Sequence, residues 1–196
     1  MIRSLKIIAA DDEAPIRYFY QKILPSLGHE LTAVVASGEE LIQACQRARP
    51  DLVIADIRMP GIDGIDAAER LWMLYNVPVV LVSAYHDYDL LQRAQADPIF
   101  GYLVKPVEES DLEAAIRVAM SRYGAFQQSI AEIKELRQSL VDRKMIERAK
   151  GIVMARAKLS EEQAMRKLEK LAYDRGKPLA DIARTVIEGD EIMLSS

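Results

Sequence analysis

Residues 51–64 read DLVIADIRMPGIDG, a short apolar run that ends at an acidic residue, Asp56, before a loop with proline and glycine. An apolar run of this length predicts one buried strand. Four similar runs alternate with helical patterns in the first part of the chain: 5–10, 31–35, 77–82 and 99–104. Near-continuous apolar strands separated by helices indicate a parallel sheet that is covered on both faces. The sequence therefore predicts an α/β fold, a doubly wound five-stranded parallel sheet.

The remainder of the chain has a different pattern. From Ser110 to about Lys158 it contains no proline, which favours one long helix. Two short helices follow, because Ser160 is a good N-cap and Gly176-Lys177-Pro178 ends the helix that Ser160 begins. We expect three segments: an α/β domain at 1–122, a helical, coiled-coil-like linker at 123–141, and a small three-helix all-α domain at 142–196.

Apolar residues in the linker recur at spacings of three and four: Tyr123, Phe126, Ile130, Ile133 and Leu140, with Arg137 as the polar exception. This spacing is typical of the a/d seam of a coiled coil. A helix that packs against its own chain would show the same short stripe, so the pattern leaves both interpretations open.

Composition and charge narrow the function. The chain has 196 residues, of which 50% are hydrophobic and 29% are charged, values that exclude disordered and collagen-like classes. No apolar run approaches the roughly 20 residues that span a bilayer, so we expect no membrane partner. The single Cys45 predicts a reducing cytoplasm. Residues 142–184 carry 12 Lys and Arg against 7 Asp and Glu, which suggests an anionic partner, although charge alone favours an ordinary solvated helical surface.

Polar residues end the predicted strands, in chain order Asp11 and Asp12, Asp56, Ser83, and Lys105. Because ligands bind beyond the carboxyl ends of parallel strands, we expect these side chains to converge at one edge of the sheet. Carboxylates that lie so close together need a cation, and few, hard oxygen ligands suit Mg²⁺. A carboxylate beside Mg²⁺ can attack a phosphoryl group, and Lys105 would stabilise the transferred charge.

These residues resemble the receiver domain of two-component response regulators. The resemblance rests on Asp11-Asp12, Asp56 in DIRMPGIDG, Ser83-Ala84 and Lys105-Pro106, and it covers residues 1 to about 122. It implies a flavodoxin-like fold and a sensor histidine kinase as partner. It also implies no enzyme activity beyond Mg²⁺-dependent self-phosphorylation from a phosphodonor.

The resemblance also assigns roles to single residues. Asp56 would be the phosphoacceptor, and Asp11, Asp12, Asp56 and the backbone carbonyl of Arg58 would bind Mg²⁺.

The phosphoryl group itself would be held by Ser83, through a hydrogen bond, and by Lys105, through an ion pair. Tyr102 occupies the position of the switch aromatic, and the bond between Lys105 and Pro106 is expected to be cis.

The last part of the chain resembles the ANTAR domain, a three-helix RNA-binding module of transcription antiterminators. The resemblance rests on DRKMIERAKGIVMAR (142–156), LSEEQA (159–164) and KPLADIA (177–183). It implies RNA hairpins as partners, and with the linker it predicts a phosphorylation-dependent homodimer. The candidate RNA-binding residues are Arg143, Lys144, Arg148, Lys150, Gly151, Arg156 and Lys177.

Gly151 is unusual because glycine inside a helix costs about 1 kcal/mol relative to alanine. Close approach of another helix or of a phosphate would explain it. The two histidines, His29 and His86, are expected at the surface, and their spacing suits no metal site.

Two other functions stay open on the sequence alone. A basic helical tail is also found in DNA-binding regulators. A phosphorelay or protein-interaction module whose tail only dimerises is the other alternative.

Overall fold

The fold is described from a computed structural model for residues 3–84 and 99–194. The chain forms two compact units, Met1–Gln127 and Gln128–Ser196. The predicted domain limits at residues 122 and 141 stay a prediction.

The first unit contains five strands: β1 Lys6–Ala10, β2 Glu30–Val35, β3 Leu52–Asp56, β4 Val79–Ser83 and β5 Ile99–Val104. They form one five-stranded parallel sheet, as the sequence predicts, and the strand order is β2-β1-β3-β4-β5. The chain order reverses between β1 and β3, and the carboxyl ends of these two strands are where such a sheet binds ligands.

Helices cover both faces of this sheet, and three are described between its strands: α1 Ala14–Ser26, α2 Gly38–Ala48 and α3 Gly64–Tyr75. Alternate residues of β3 enter opposite apolar layers, Val53 on one side and Ile54 on the other, and both are fully buried. This double burial explains why the strands read as continuous apolar runs. The helix predicted over 85–94 lies outside the described residues.

A single helix, α4, runs from Glu109 to Ala157 and is followed by α5 Glu161–Arg175 and α6 Leu179–Leu194. The predicted N-cap is confirmed: Ser160 Oγ accepts from the amide of Gln163, and Gln163 Oε1 accepts from the amide of Ser160. Gly176 ends α5 with a φ of 60°. No helix in the described part of the chain is long and apolar enough to cross a membrane.

The apolar residues of the predicted linker seam fall into two groups with different surroundings. Tyr123 and Phe126 pack with Trp72 and Phe100 in the core of the first unit, and the Tyr123 hydroxyl donates to the carbonyl of Asn76 at 2.8 Å. Further along α4 the apolar residues Ile130, Ile133 and Leu140 are 46%, 49% and 61% exposed. The first two positions therefore pack on their own chain, which the spacing alone did not distinguish.

The prediction for His29 is wrong. His29 is buried, and its Nδ1 lies 3.4 Å from the amide of Leu5, at the amino end of the sheet. Its pKa is lowered because burial disfavours the charged ring. His86 lies outside the described residues.

Candidate functional site

The strand order brings the predicted acidic residues together. Asp11 and Asp12 follow β1, and Asp56 is the last residue of the adjacent strand β3. One carboxylate oxygen from each of the three lies within 4.8 Å of the others. Asp11 and Asp56 are buried, whereas Asp12 is exposed at the mouth of the site. This arrangement defines a pocket of negative charge at the carboxyl edge of the sheet.

The first residue of α3 packs tightly against the backbone of Asp56. Gly64 is the first residue of α3, and a Cβ added there would lie 2.2 Å from the carbonyl oxygen of Asp56. Its amide donates to the carbonyl of Ile57 at 2.9 Å. The N-cap Asp63 accepts from the amide of Asp66 at 2.8 Å. The glycine that closes the DIRMPGIDG stretch thus lets the helix start directly on the Asp56 backbone.

Lys105 reaches this pocket from the end of β5. Its Nζ lies 3.0 Å from Asp11 Oδ2 and 3.4 Å from Asp56 Oδ1. A third carboxylate, Glu13 Oε1, lies 2.9 Å from the same nitrogen. Glu13 was not among the predicted site residues, although an acid two positions after Asp11 was visible in the sequence.

Burial is the largest influence on the pKa values of the two buried acids. Burial raises the pKa of Asp56 to about 6; Lys105 opposes this shift and Asp11 adds to it. The pKa of Asp11 is raised, again chiefly by burial. For Lys105, burial disfavours the charge, but hydrogen bonds to Glu13 and Asp11 outweigh it and raise the pKa. A bound cation would relieve the repulsion among the carboxylates.

The donor set at this pocket fits a hard divalent cation. Asp11, Asp12 and Asp56 offer carboxylate oxygens only, which Mg²⁺ prefers, and water completes its coordination in sites with few protein ligands. Arg58 lies two residues after Asp56, before α3, and its backbone carbonyl as a further ligand stays a prediction.

The remaining predicted residues lie along β4 and β5. Ser83 ends β4 fully buried, and its Oγ donates to the carbonyl of Ala84 at 3.0 Å. Tyr102 is half-buried in β5 and packs against one apolar layer of the sheet. The peptide bond between Lys105 and Pro106 is cis, as predicted.

The second unit is built around a small apolar core from three helices. Its buried residues are Ala149 of α4, Ala164 and Leu168 of α5, and Ile182, Ala183 and Ile187 of α6. The core orients the basic side chains, because the residues between the apolar positions of α4 must face the other helices or the solvent.

Three of the predicted RNA-binding cations are paired with acids of the same unit. Arg148 lies 2.8 Å from Glu191, and Arg156 lies 2.8 Å from Asp190, both on α6. Lys150 lies between Glu147 and Glu161, at 2.6 and 2.7 Å. These cations are therefore directed at neighbouring acids and do not form one continuous basic stripe.

Other cations of the second unit form no ion pair with any residue that the structure describes. They include three of the candidate RNA-binding residues, Arg143, Lys144 and Lys177, and also Lys158, Lys167, Lys170 and Arg175.

Two uncharged positions of this unit also face solvent. No described atom beyond the neighbouring turns of α4 lies within 4 Å of a Cβ placed at Gly151, so packing against another helix does not explain this glycine. Tyr173 on α5 is 87% exposed.

Comparison with known proteins agrees with this division. A family model for the response regulator receiver domain matches residues 7–117, and the ANTAR domain model matches residues 134–187. The chain is 34% identical to the transcriptional regulatory protein PdtaR of Mycobacterium tuberculosis, over 93% of this chain and 89% of that protein. It is 36% identical to the positive alginate biosynthesis regulatory protein of Pseudomonas aeruginosa, over 59% of this chain and 47% of that one.

A solved structure shows the same fold in the first unit. It is the signal receiver domain of a modulated diguanylate cyclase from Desulfovibrio desulfuricans, which superposes with a TM-score of 0.59 at 29% identity. The match covers 63% of this chain and 98% of that domain. The chain therefore belongs to the two-component response regulators. Within that class it combines a receiver domain with a C-terminal ANTAR domain, and it is a phosphorylation-controlled regulator.

Proposed function

We propose that a sensor histidine kinase phosphorylates Asp56 of this response regulator, and that the phosphorylated protein binds RNA hairpins and controls transcription antitermination. The observation that carries the proposal is the occurrence, in one chain, of the carboxylate pocket at β1 and β3 and of a basic ANTAR unit. The proposal includes a cytoplasmic location, where transcripts are made.

In the phosphoryl-transfer step, an oxygen of the Asp56 carboxylate forms a bond to phosphorus while the bond from phosphorus to the histidine nitrogen of the kinase breaks. The kinase histidine leaves with the electron pair and takes up a proton. With acetyl phosphate as donor, the acyl-oxygen bond to phosphorus breaks and acetate leaves.

The chain's own residues have separate parts in this step. Lys105 already lies 3.4 Å from Asp56 and would stabilise charge on the phosphoryl oxygens, and Ser83 would donate a hydrogen bond to them. Asp11, Asp12 and Asp56 would hold Mg²⁺, which neutralises charge on the transferred group when it is bound. Tyr102 would report the change to the rest of the receiver.

Phosphorylation is tested with acetyl phosphate and Mg²⁺, by intact mass. The wild-type protein should gain one phosphoryl group, and the Asp56→Asn variant should gain none. Chelation of Mg²⁺ should abolish the gain. Phosphorylation of Asp56→Asn would contradict the assignment of the phosphoacceptor.

RNA binding is supported by the distribution of unpaired charge in the second unit. A cation that forms no ion pair can approach a phosphate without first breaking one. Arg143, Lys144 and Lys177 pair with no acid in the described part of the chain, so they are better placed than Arg148, Lys150 and Arg156. The exposed ring of Tyr173 offers a stacking surface for an unpaired base.

The test is a fluorescence-anisotropy titration of a labelled two-hairpin RNA, with duplex DNA as competitor, before and after phosphorylation. We expect salt-dependent RNA binding that resists DNA and strengthens with acetyl phosphate. Lys177→Ala should weaken it and lower the salt slope by about 0.7–1, whereas the matched Arg148→Ala should change it less. Equal competition by DNA would favour a DNA-binding regulator, and no binding would favour a protein-interaction or phosphorelay module.

The proposal includes a phosphorylation-dependent homodimer. The exposed residues Ile130, Ile133 and Leu140 of α4 keep coiled-coil spacing, whereas Tyr123 and Phe126 are partly buried against the receiver core. Light scattering should show a dimer in the presence of beryllofluoride and a monomer after Ile133→Asp. A monomer in every state would contradict this part of the proposal.

A further inference from the structure

Glu13 lies beside the phosphoacceptor site and has no role among those that the receiver resemblance assigns. It is the residue before α1, and its side chain makes no capping hydrogen bond to that helix. Its backbone amide donates to Asp11 Oδ1 at 2.9 Å, which holds the residue against the pocket. Its side chain instead accepts from Lys105 Nζ at 2.9 Å. The contact joins two residues that are 92 positions apart in the chain.

Lys105 is thereby shared among three carboxylates. An ammonium group has only three N–H donors, and Asp11, Glu13 and Asp56 all lie within ion-pair distance of it. The Asp11 and Asp56 side chains are 0% and 6% exposed, but that of Glu13 is 58% exposed. Glu13 therefore contacts Lys105 from the solvent side, and of the three it is the carboxylate that can leave at the least cost in desolvation.

We infer that Glu13 is a positioning residue that holds Lys105 in the unphosphorylated site and competes with an incoming phosphoryl group for its ammonium. The inference rests on the proposed phosphorylation of Asp56. When the phosphoryl group arrives, Lys105 exchanges its contact with Glu13 for one with a phosphoryl oxygen. The released Glu13 carboxylate then lies near the negatively charged phosphoryl group. The repulsion between the two slows phosphorylation.

The test compares Glu13→Gln, which keeps the size and removes the charge, with Glu30→Gln. Glu30 is an exposed acid at the amino end of β2, at the opposite edge of the sheet. The full chain is treated with acetyl phosphate and excess Mg²⁺, and the phosphorylated fraction is followed by intact mass. Glu13→Gln should react about two- to fivefold faster than wild type, the size expected for a partly exposed ion pair. Glu30→Gln should react at the wild-type rate.

A second donor separates the effect of charge from a merely structural effect. Phosphoramidate carries less negative charge than acetyl phosphate, so the gain from Glu13→Gln should be smaller with it. Beryllofluoride, an analogue of the phosphoryl group that carries a single negative charge, should also bind the variant more tightly, but by a smaller factor. Glu13→Ala should repeat both results, which guards against an effect particular to the glutamine side chain.

Each outcome decides the inference. Unchanged or slower phosphorylation of both Glu13 variants, or equal gains with the two donors, would overturn the role of Glu13 while leaving the phosphorylation of Asp56 intact. Failure of the wild-type chain to be phosphorylated would overturn the proposed function itself, and with it this inference.

Discussion

The two units of this protein use charge in opposite ways. In the receiver, Asp11, Asp56 and Lys105 are mostly or fully buried, and burial raises the pKa of both acids. In the ANTAR unit the typical pair is Arg148 with Glu191, whose side chains are 60% and 57% exposed. Buried charge is costly and is kept where chemistry needs a perturbed group. Exposed charge costs little and can be rearranged around a polyanion.

The glycines of the two units show the same contrast. Gly64 exists because the Asp56 carbonyl occupies the space of a side chain, whereas Gly151 has open space where a side chain would be. A motif glycine inside a packed site is therefore explained by the fold. The fold does not explain Gly151, which lies on an open helix surface.

The largest expected effect comes from closing the space at Gly64. The Gly64→Ala substitution should lower the free energy of unfolding of the receiver by about 3 kcal/mol or more, because the obstructing atom is backbone and cannot rotate away. Guanidinium denaturation followed by the fluorescence of Trp72, the only tryptophan, measures this change. A loss below about 1 kcal/mol would show that α3 shifts easily and that the Asp56 loop is not rigidly held.

The next largest effect is expected when the buried acid Asp56 is replaced by asparagine. The pKa of Asp56 rises from 3.8 to about 6 on folding, so between these values the native state binds more protons than the unfolded state. The free energy of unfolding therefore falls as the pH rises from about 4 to about 6. Above pH 6 the cost of burying the charged Asp56 carboxylate no longer changes with pH. Asp56→Asn should raise the free energy of unfolding near pH 7 by up to about 3 kcal/mol in chelator, since each pKa unit corresponds to about 1.4 kcal/mol.

Denaturation of both proteins across pH 4–7 checks this sign. The advantage of Asp56→Asn should shrink as pH falls toward 4, and Mg²⁺ should stabilise the wild type more than the variant. An advantage that did not change with pH would contradict the burial argument.

At Gly151 we expect a smaller effect of opposite sign to that at Gly64: the alanine substitution should stabilise the protein. Gly151→Ala should stabilise the second unit by about 1 kcal/mol, since alanine favours a helix and no described atom obstructs it. The same substitution should weaken RNA binding if a phosphate approaches this position. Thermal denaturation by circular dichroism and the anisotropy titration measure the two changes. Greater stability with unchanged RNA affinity would remove Gly151 from the interface.

The smallest effect belongs to the exposed ion pair. A double-mutant cycle on Arg148 and Glu191 should give a coupling energy below about 1 kcal/mol, and high salt should reduce it further. A larger, salt-resistant coupling would show that this pair supports the fold of the second unit in the way that buried charges do.

The sequence predicted the α/β sheet, the long helix and the N-cap at Ser160, because local periodicity and capping chemistry act over a few residues. It also predicted that Asp11, Asp12, Asp56 and Lys105 meet, since parallel strands all end at one edge.

The sequence did not determine how these elements pack. The apolar spacing of the linker left open whether Tyr123 and Ile130 form one coiled-coil seam or pack on their own chain; Tyr123 packs on Trp72, whereas Ile130 is exposed. His29 was expected at the surface and is buried at the amide of Leu5. In both cases the local sequence indicated the type of element, a helix or a loop, but it did not identify the segment of the chain that packs against that element.

The sequence by itself thus determined the order of elements and the edge of the sheet where the carboxylates collect. Only the tertiary structure decided how the charges are shared: that Glu13 reaches Lys105, that Arg156 pairs with Asp190, and that Lys177 forms no ion pair with an acid of residues 3–84 or 99–194. The physical reason is the distance along the chain between the residues that interact. Strand ends and helix caps follow from neighbours in the chain, whereas an ion pair between distant residues depends on how whole elements pack.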